Sequence, residues 1–227
     1  MGINFLGNKF SKKNLFYPGC LVKTLLPHIE QNYEEILTNL GVKFEKLKDI
    51  EVCCGLPALH AGYPEDFYRL VNKNEEVFAN QQIGRIITLC PECLYAFKTE
   101  YSIKAEHITQ TISRFLPLIP KKFDEEITYY DSCYLGRKLG VTEEPRQILR
   151  ALGFEVVELD KNRENVQCCG AGGNLKLNSP RIADKIAQQI LKDVKTQKII
   201  TACPHCYRHL KDNAQGIEVL ELSEVLV

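Results

Sequence analysis

Apolar positions along the chain alternate between short β-prone runs and stripes at helical spacing. Leu15-Phe16-Tyr17 is a brief strand-like run that ends at Cys20. Over residues 28–40, Ile29, Tyr33, Ile36, Leu37 and Leu40 recur as on one helix face, and Gly41 follows as a C-cap. Residues 42–47 alternate and predict a strand that delivers the chain towards Cys53. Residues 65–82 place Phe67, Leu70, Val71, Val77 and Phe78 on one side of a helix. Residues 85–89 have the composition of a buried strand. Cys90-Pro91-Glu92-Cys93 then opens a helix, with Pro91 at its first position. A strand over 103–108 leads into a helix over 109–115. Pro117, Pro120 and the charged stretch 121–126 mark a boundary.

The rest of the chain retraces this path. Strands are expected at 128–130, 154–159, 199–202 and 217–220. Helices are expected at 145–152, stopped by Gly153, at 179–194 with Ser179 as N-cap, and from Pro204 onwards. Strands alternating with helices favour parallel pairing through crossovers. The expected fold is α/β, two pseudo-symmetric Rossmann-like βαβ units with mostly parallel sheets, spanning residues 1–120 and 121–227. Cys20, Cys90, Cys133 and Cys203 would gather at the carboxyl ends of strands, where such folds place their sites.

The cysteines make the repeat explicit. Cys20, Cys53, Cys54, Cys90 and Cys93 lie in the first half, and Cys133, Cys168, Cys169, Cys203 and Cys206 in the second. Cys20 to Cys133, Cys90 to Cys203 and Cys93 to Cys206 each span 113 positions, and Cys53 to Cys168 spans 115. All ten are used. Arg85-Ile86-Ile87-Thr88-Leu89 before one CPxC matches Lys198-Ile199-Ile200-Thr201-Ala202 before the other. Such a register is the mark of a duplicated unit.

Composition narrows the classes. With 29 basic and 29 acidic residues there is no net field to favour nucleic acid or an anionic membrane. No apolar run approaches the roughly 20 residues of a membrane span. The N-terminus, with Lys9, Lys12 and Lys13 and no apolar stretch after them, does not read as a signal peptide, so a cytoplasmic location is expected. Ten cysteines among 227 residues is about 4%, below the 8–10% of a secreted disulfide scaffold. No serine–histidine–acid arrangement, P-loop or dinucleotide glycine fingerprint is present.

Adjacent cysteines suit a shared metal centre better than a disulfide. Their Cα atoms are about 3.8 Å apart, below the roughly 4.4–6.8 Å of bridged pairs. Glycine after each pair, in Cys53-Cys54-Gly55 and Cys168-Cys169-Gly170-Ala171-Gly172-Gly173, gives the backbone freedom to fold closely round a centre. CxxC at a helix start presents two sulfurs to one side, where backbone N–H groups stabilise thiolate. Four-coordinate zinc would leave one cysteine of each five spare, whereas iron–sulfur clusters are held by several thiolates. Structural zinc sites and buried thiols remain the alternative.

The pattern C-x32-C-C-G-x34-C-P-x-C followed by C-x34-C-C-G-x32-C-P-x-C resembles the paired CCG, or cysteine-rich, domains found in heterodisulfide reductase. It is similar also to iron–sulfur subunits of glycerol-3-phosphate and glycolate or lactate-utilisation oxidoreductases. The resemblance covers residues 15–222. It implies two noncubane [4Fe-4S] clusters, one on Cys20, Cys53, Cys54, Cys90 and Cys93, the other on Cys133, Cys168, Cys169, Cys203 and Cys206. Some relatives hold zinc, or nothing, at one motif. It implies reduction of a small disulfide between the clusters, or electron transfer for a hydroxy-acid or glycerol-3-phosphate dehydrogenase. A zinc-stabilised assembly module is the third reading. The chain lacks a ferredoxin-type C-x2-C-x2-C-x3-C-P run, so electrons would come from a ferredoxin-type iron–sulfur subunit or a flavoprotein.

Other candidates are weaker, and no catalytic side chain is singled out. His205 is either a donor beside the cysteines or an exposed helix-start residue, the latter preferred. His60 is an acid near the site or a solvated loop residue, and His107 caps or packs at a strand end. Arg137 and Lys138 either offset site charge or are solvated. Gly170, Gly172 and Gly173 leave room for a substrate or permit close N–H···S contacts.

Overall fold

The computed structural model describes residues 12–47, 50 and 52–227. The expectation that the N-terminus is no signal peptide falls mostly on residues 1–11, outside that range. In the first half the order is β1 (Lys13–Tyr17), α1 (Cys20–Leu25), α2 (Pro27–Asn39), α3 (Leu56–His60), α4 (Pro64–Asn80), β2 (Ile83–Thr88), α5 (Pro91–Thr99), β3 (Lys104–His107) and α6 (Ile108–Ile112). A 3-10 segment, Ser113–Leu118, leads out of it. The second half runs β4 (Glu126–Tyr129), a π-helical turn (Tyr134–Leu139), α7 (Glu143–Leu152), β5 (Glu155–Glu158), α8 (Leu175–Asn178), α9 (Pro180–Lys192), β6 (Lys198–Thr201), α10 (Pro204–Asn213), β7 (Glu218–Glu221) and α11 (Ser223–Leu226).

The strands form two all-parallel sheets, β1-β2-β3 and β5-β4-β6-β7, in an α/β fold. Parallel neighbours need crossovers, and the helices supply them. The strand expected over 42–47 is reduced to one bridge between Glu45 and Leu15. Phe16 N–H donates to the Glu45 carbonyl at 2.9 Å and Glu45 N–H to the Asn14 carbonyl at 2.8 Å. The ladder stops there, and the next side chain, Lys46, reaches onto α2. Lys46 Nζ sits 2.6 Å from Glu30 and also pairs with Glu34. This bridge lies beside β1 as β5 lies beside β4. A second departure concerns Ser179, whose side chain makes no cap bond. Its carbonyl accepts from Ile182 and Ala183 instead, because α8 runs straight into α9 and Ser179 N–H is taken by Leu175.

Apolar burial decides how the halves sit together. One cluster, with Leu15, Phe67, Ile86 and Phe97, belongs to the first half. The larger one joins Phe16, Ile29, Leu37 and Ile87 to Ile127, Ile148, Leu210 and Leu222. Truncating any of these to alanine would cost about 2–5 kcal/mol. Helix α2 packs on α11 of the other half, and Tyr33 donates its hydroxyl to Glu221 at 2.8 Å. Among the described residues no helix is long and apolar enough to cross a membrane.

Candidate functional site

Cys20, Cys90, Cys133 and Cys203 each follow the carboxyl end of a strand (β1, β2, β4 and β6). The spacing to the strand therefore brings single cysteine and CxxC to one edge in each half. In the first half Cys90 is the N-cap of α5, and its Sγ accepts from Cys93 N–H at 3.4 Å. Pro91 and Pro204 occupy the first helical turns, where the missing N–H costs nothing. Gly19, at φ 89°, lets the chain enter α1 against these thiols. A Cβ there would meet Cys90 Cβ at 3.2 Å and Cys93 Sγ at 3.5 Å.

The paired cysteines are held by matching anchors. Tyr17 Oη donates to the Val52 carbonyl at 2.7 Å, and Tyr130 Oη donates to the Gln167 carbonyl at 2.6 Å. After each pair a left-handed glycine turns the chain, Gly55 at φ 88° and Gly170 at φ 87°. Gly55 N–H points to Cys53 Sγ at 3.4 Å and Gly170 N–H to Cys168 Sγ at 3.5 Å. The N–H···S contacts expected of Gly170 are thus present. Tyr17 and Tyr130 read in the sequence only as strand residues.

All ten cysteines carry free thiols, which here stand in for thiolates. They link into two chains of contacts in the same order. In the first, Cys20 hydrogen-bonds Cys53, Cys53 meets Cys54, Cys54 meets Cys93, and Cys93 meets Cys90. In the second, Cys133 lies 3.6 Å from Cys168. Cys168 contacts Cys169, Cys169 lies 3.2 Å from Cys206, and Cys206 contacts Cys203. Each chain runs inward. Cys20 is exposed and Cys53, Cys133 and Cys168 are half-buried, while the other six are buried. Among the described residues no three metal-type side chains are grouped as a ready site for a single ion.

Crowded thiols share protons unequally. Hydrogen bonds from Cys53 and Cys93 pull Cys54 down to about 6, and those from Cys133 and Cys169 pull Cys168 down to about 2. Cys90 is likewise held low by Cys93. Their donors Cys53, Cys93, Cys133 and Cys169 are pushed up by the same bonds. In each half one or two sulfurs are thus held towards the thiolate, the state that binds metal, while their donors keep the protons.

The residues between the two chains come from both halves. His205, expected to be exposed, is half-buried within hydrogen-bonding reach of Cys90 in the other half. Its pKa is raised to about 10, because the Cys90 interaction outweighs the burial that opposes charge. Glu92 is its counterpart in the other CPxC motif. Burial, then the charge of Cys90, push its carboxyl up to about 7, and Cys168 adds to the effect. Its Oε1 lies over Gly172, where a Cβ would come within 2.1 Å. Gly172 thus makes room for Glu92. Beyond the motif itself, no local pattern signals this role. At the surface, His60 Nε2 lies 3.1 Å from Tyr134 Oη across the boundary. Arg137 and Lys138 are exposed, with Arg137 close enough to favour the Cys168 thiolate. His107 is buried and caps α6, accepting from Thr109 N–H. A cavity of about 770 Å³ lies away from the cysteines, by the amino ends of the first sheet, lined by Lys12, Phe78 and Arg85.

The family model described as "Cysteine-rich domain" (CCG) matches residues 14–98 and again 127–211. The chain belongs to this family. Among curated CCG relatives, it is 32% identical to the EtfAB:quinone oxidoreductase of Syntrophomonas wolfei, over 93% of this chain and 32% of that protein. It is 31% identical to a subunit of the fumarate reductase (CoM/CoB) of Methanothermobacter marburgensis, over 93% of this chain and 45% of the relative. It is 28% identical to a subunit of the dihydromethanophenazine:CoB–CoM heterodisulfide reductase of Methanosarcina acetivorans, over 94% of this chain and 57% of the relative. The chain thus spans between a third and somewhat over half of the length of these proteins. Among solved structures it resembles Picrophilus torridus aspartate racemase at 14% identity and a TM-score of 0.41, over 94% of this chain and 90% of that one. That degree of likeness carries no functional argument.

Proposed function

We propose that the protein is an iron–sulfur redox subunit that reduces a small disulfide between two noncubane [4Fe-4S] clusters. Cys20, Cys53, Cys54, Cys90 and Cys93 would hold one, and Cys133, Cys168, Cys169, Cys203 and Cys206 the other. The observation that carries the reading is the pair of five-sulfur chains, matched in order and facing each other across Glu92 and His205. Donor chemistry fits: all-thiol sets with depressed members and backbone N–H groups aimed at sulfur are the surroundings of iron–sulfur clusters.

Such clusters supply one-electron steps on either side of the substrate. The substrate's S–S bond breaks on taking up two electrons and two protons, leaving two thiols. The electrons come from a ferredoxin-type iron–sulfur or flavoprotein partner. The chain's own part is to bind and shield. Exposed Cys20 and half-buried Cys133 and Cys168 mark the open side of the sulfur chains. The His60–Tyr134 contact there joins the halves. Arg137 adds positive charge near Cys168 and would favour an anionic substrate.

A second reading, an electron-transfer subunit with no substrate of its own, is favoured by the names of the relatives, which belong to different oxidoreductases. Anaerobic purification with iron, sulfide and zinc analysis and EPR tests both. About eight irons with sulfide and an oxidation-dependent signal are expected for two four-iron clusters. Zinc without sulfide, after reconstitution, would leave an assembly module. Disulfide reduction by the loaded chain with an artificial donor then separates the first reading from the second.

A further inference from the structure

The two CPxC motifs differ at their variable position, Glu92 in one and His205 in the other. Each of these side chains leans towards the opposite half. His205 and Glu92 line one pocket together with Cys20, Cys54, Cys90 and Cys93. That pocket is the interior of the first sulfur chain, and α10, which carries His205, packs on α1 beside it. Glu92 lies between the two sets: it lines that same pocket and rests its Oε1 over Gly172 in the loop after Cys168-Cys169. The exchange gives the sets unlike neighbours. The first set receives an imidazole from the second half, while the carboxyl of Glu92 is shared between the two.

We infer that His205 is a positioning residue for the first sulfur set, donating an imidazole N–H to Cys90 across the boundary and raising the potential of the cluster held there relative to its twin. The inference rests on the iron–sulfur reading above. Its physics is general: a hydrogen bond to a ligating sulfur withdraws charge from the cluster and favours the reduced state. An imidazole carries an N–H whether neutral or charged, so the effect needs no particular protonation state. The two clusters, alike in ligands, become unequal through His205, and the first electron entering this site is drawn to the Cys20–Cys93 side.

The test is an EPR-monitored redox titration of the full chain reconstituted with iron and sulfide, with resonance Raman of the iron–sulfur stretches. Cys53→Ala and Cys168→Ala, each disabling one set, assign the two signals. His205→Phe, which keeps a ring but no donor, is expected to lower the midpoint of the first cluster and leave the second in place. Either His205→Gln or His205→Asn, which restore an N–H, is expected to recover part of the shift. Loss of iron from the first set alone in His205→Phe, repaired by the same amides, would also support the assignment. Equal shifts of both signals, or no shift with iron and sulfide at wild-type level, would overturn it. A wild-type chain that takes up neither iron nor sulfide gives no signal to titrate, which overturns the cluster reading and this inference with it.

Discussion

The two halves place the same backbone under the same five sulfurs, yet they hold it with different chemistry. At the end of the last strand of each half, the residue paired with Thr88 is His107 and the residue paired with Thr201 is Glu221. Both are buried, and both accept from the N–H two residues on, Thr109 and Ser223, to cap the next helix. One half uses a base that burial keeps neutral, the other an acid whose pKa burial raises to about 7. Just before the first cysteine of each set the contrast repeats. Cys20 follows Pro18-Gly19, whereas Cys133 follows Asp131-Ser132, with Asp131 buried. Asp131 takes both Nη atoms of fully buried Arg146, at 2.9 and 2.7 Å, and the guanidinium reaches Glu158 as well. Duplication has kept the order of the sulfurs and let the supports around them diverge.

The largest break in this comparison is expected at Arg146. Arg146→Met strands Asp131 in the core, and removing one partner of a buried pair costs about 3–5 kcal/mol. Urea unfolding should show that loss, and Asp131→Leu combined with Arg146→Met should recover much of it. A single variant within about 1 kcal/mol of wild type would mean the pair is not a support of the second half.

Next come the two caps, whose pH dependences have opposite signs. Burial lowers His107 to about 4 from 6.5, so its contribution is complete above pH 6.5 and is lost as pH falls towards 4. Burial raises Glu221 to about 7 from 4.5, so its contribution is complete below pH 4.5 and is lost as pH rises through 7. Each is worth on the order of 3 kcal/mol at most, at about 1.4 kcal/mol per unit. In the wild type they offset one another across this window. Glu221→Gln should expose the histidine, giving stability that falls on acidification, and should gain on the wild type at pH 8. His107→Gln should expose the opposite slope. Parallel slopes in the two variants would sink the comparison.

The smallest expected effect tests the likeness rather than the difference. Tyr17→Phe and Tyr130→Phe each remove one hydrogen bond to the carbonyl ahead of a cysteine pair, at about 1 kcal/mol apiece. Similar losses in thermal unfolding are expected if the anchors are equivalent. A loss confined to one would show that only one turn depends on its tyrosine.

Much of this was legible in the sequence, because it is written in local spacing. The 113-residue register of the cysteines, the prolines at Pro91 and Pro204, and the stripe from Ile29 to Leu40 each carry their meaning within a few residues. What escaped depends on partners distant in sequence. The strand over 42–47 reads correctly as alternating, but Lys46 is taken by α2. The π-helical turn after Cys133 has no counterpart after Cys20, where α1 begins. His205 looks like any residue one place into a helix until the other half is set beside it. Nothing near Arg146 in sequence announces its buried pairing with Asp131.

The contact of Tyr33 with Glu221 spans 188 positions. During synthesis, α2 leaves the ribosome long before β7 and α11 exist to cover it. The first sheet can gather its own cluster around Leu15, Phe67 and Phe97 meanwhile, but the face of α2 bearing Ile29, Tyr33 and Leu37 must wait. Nascent chains at this stage would show an uncovered helix to any chaperone in reach. The crossing of Glu92 and His205 is closed in the same late event. Metal loading before that moment would meet only half of the surroundings described above.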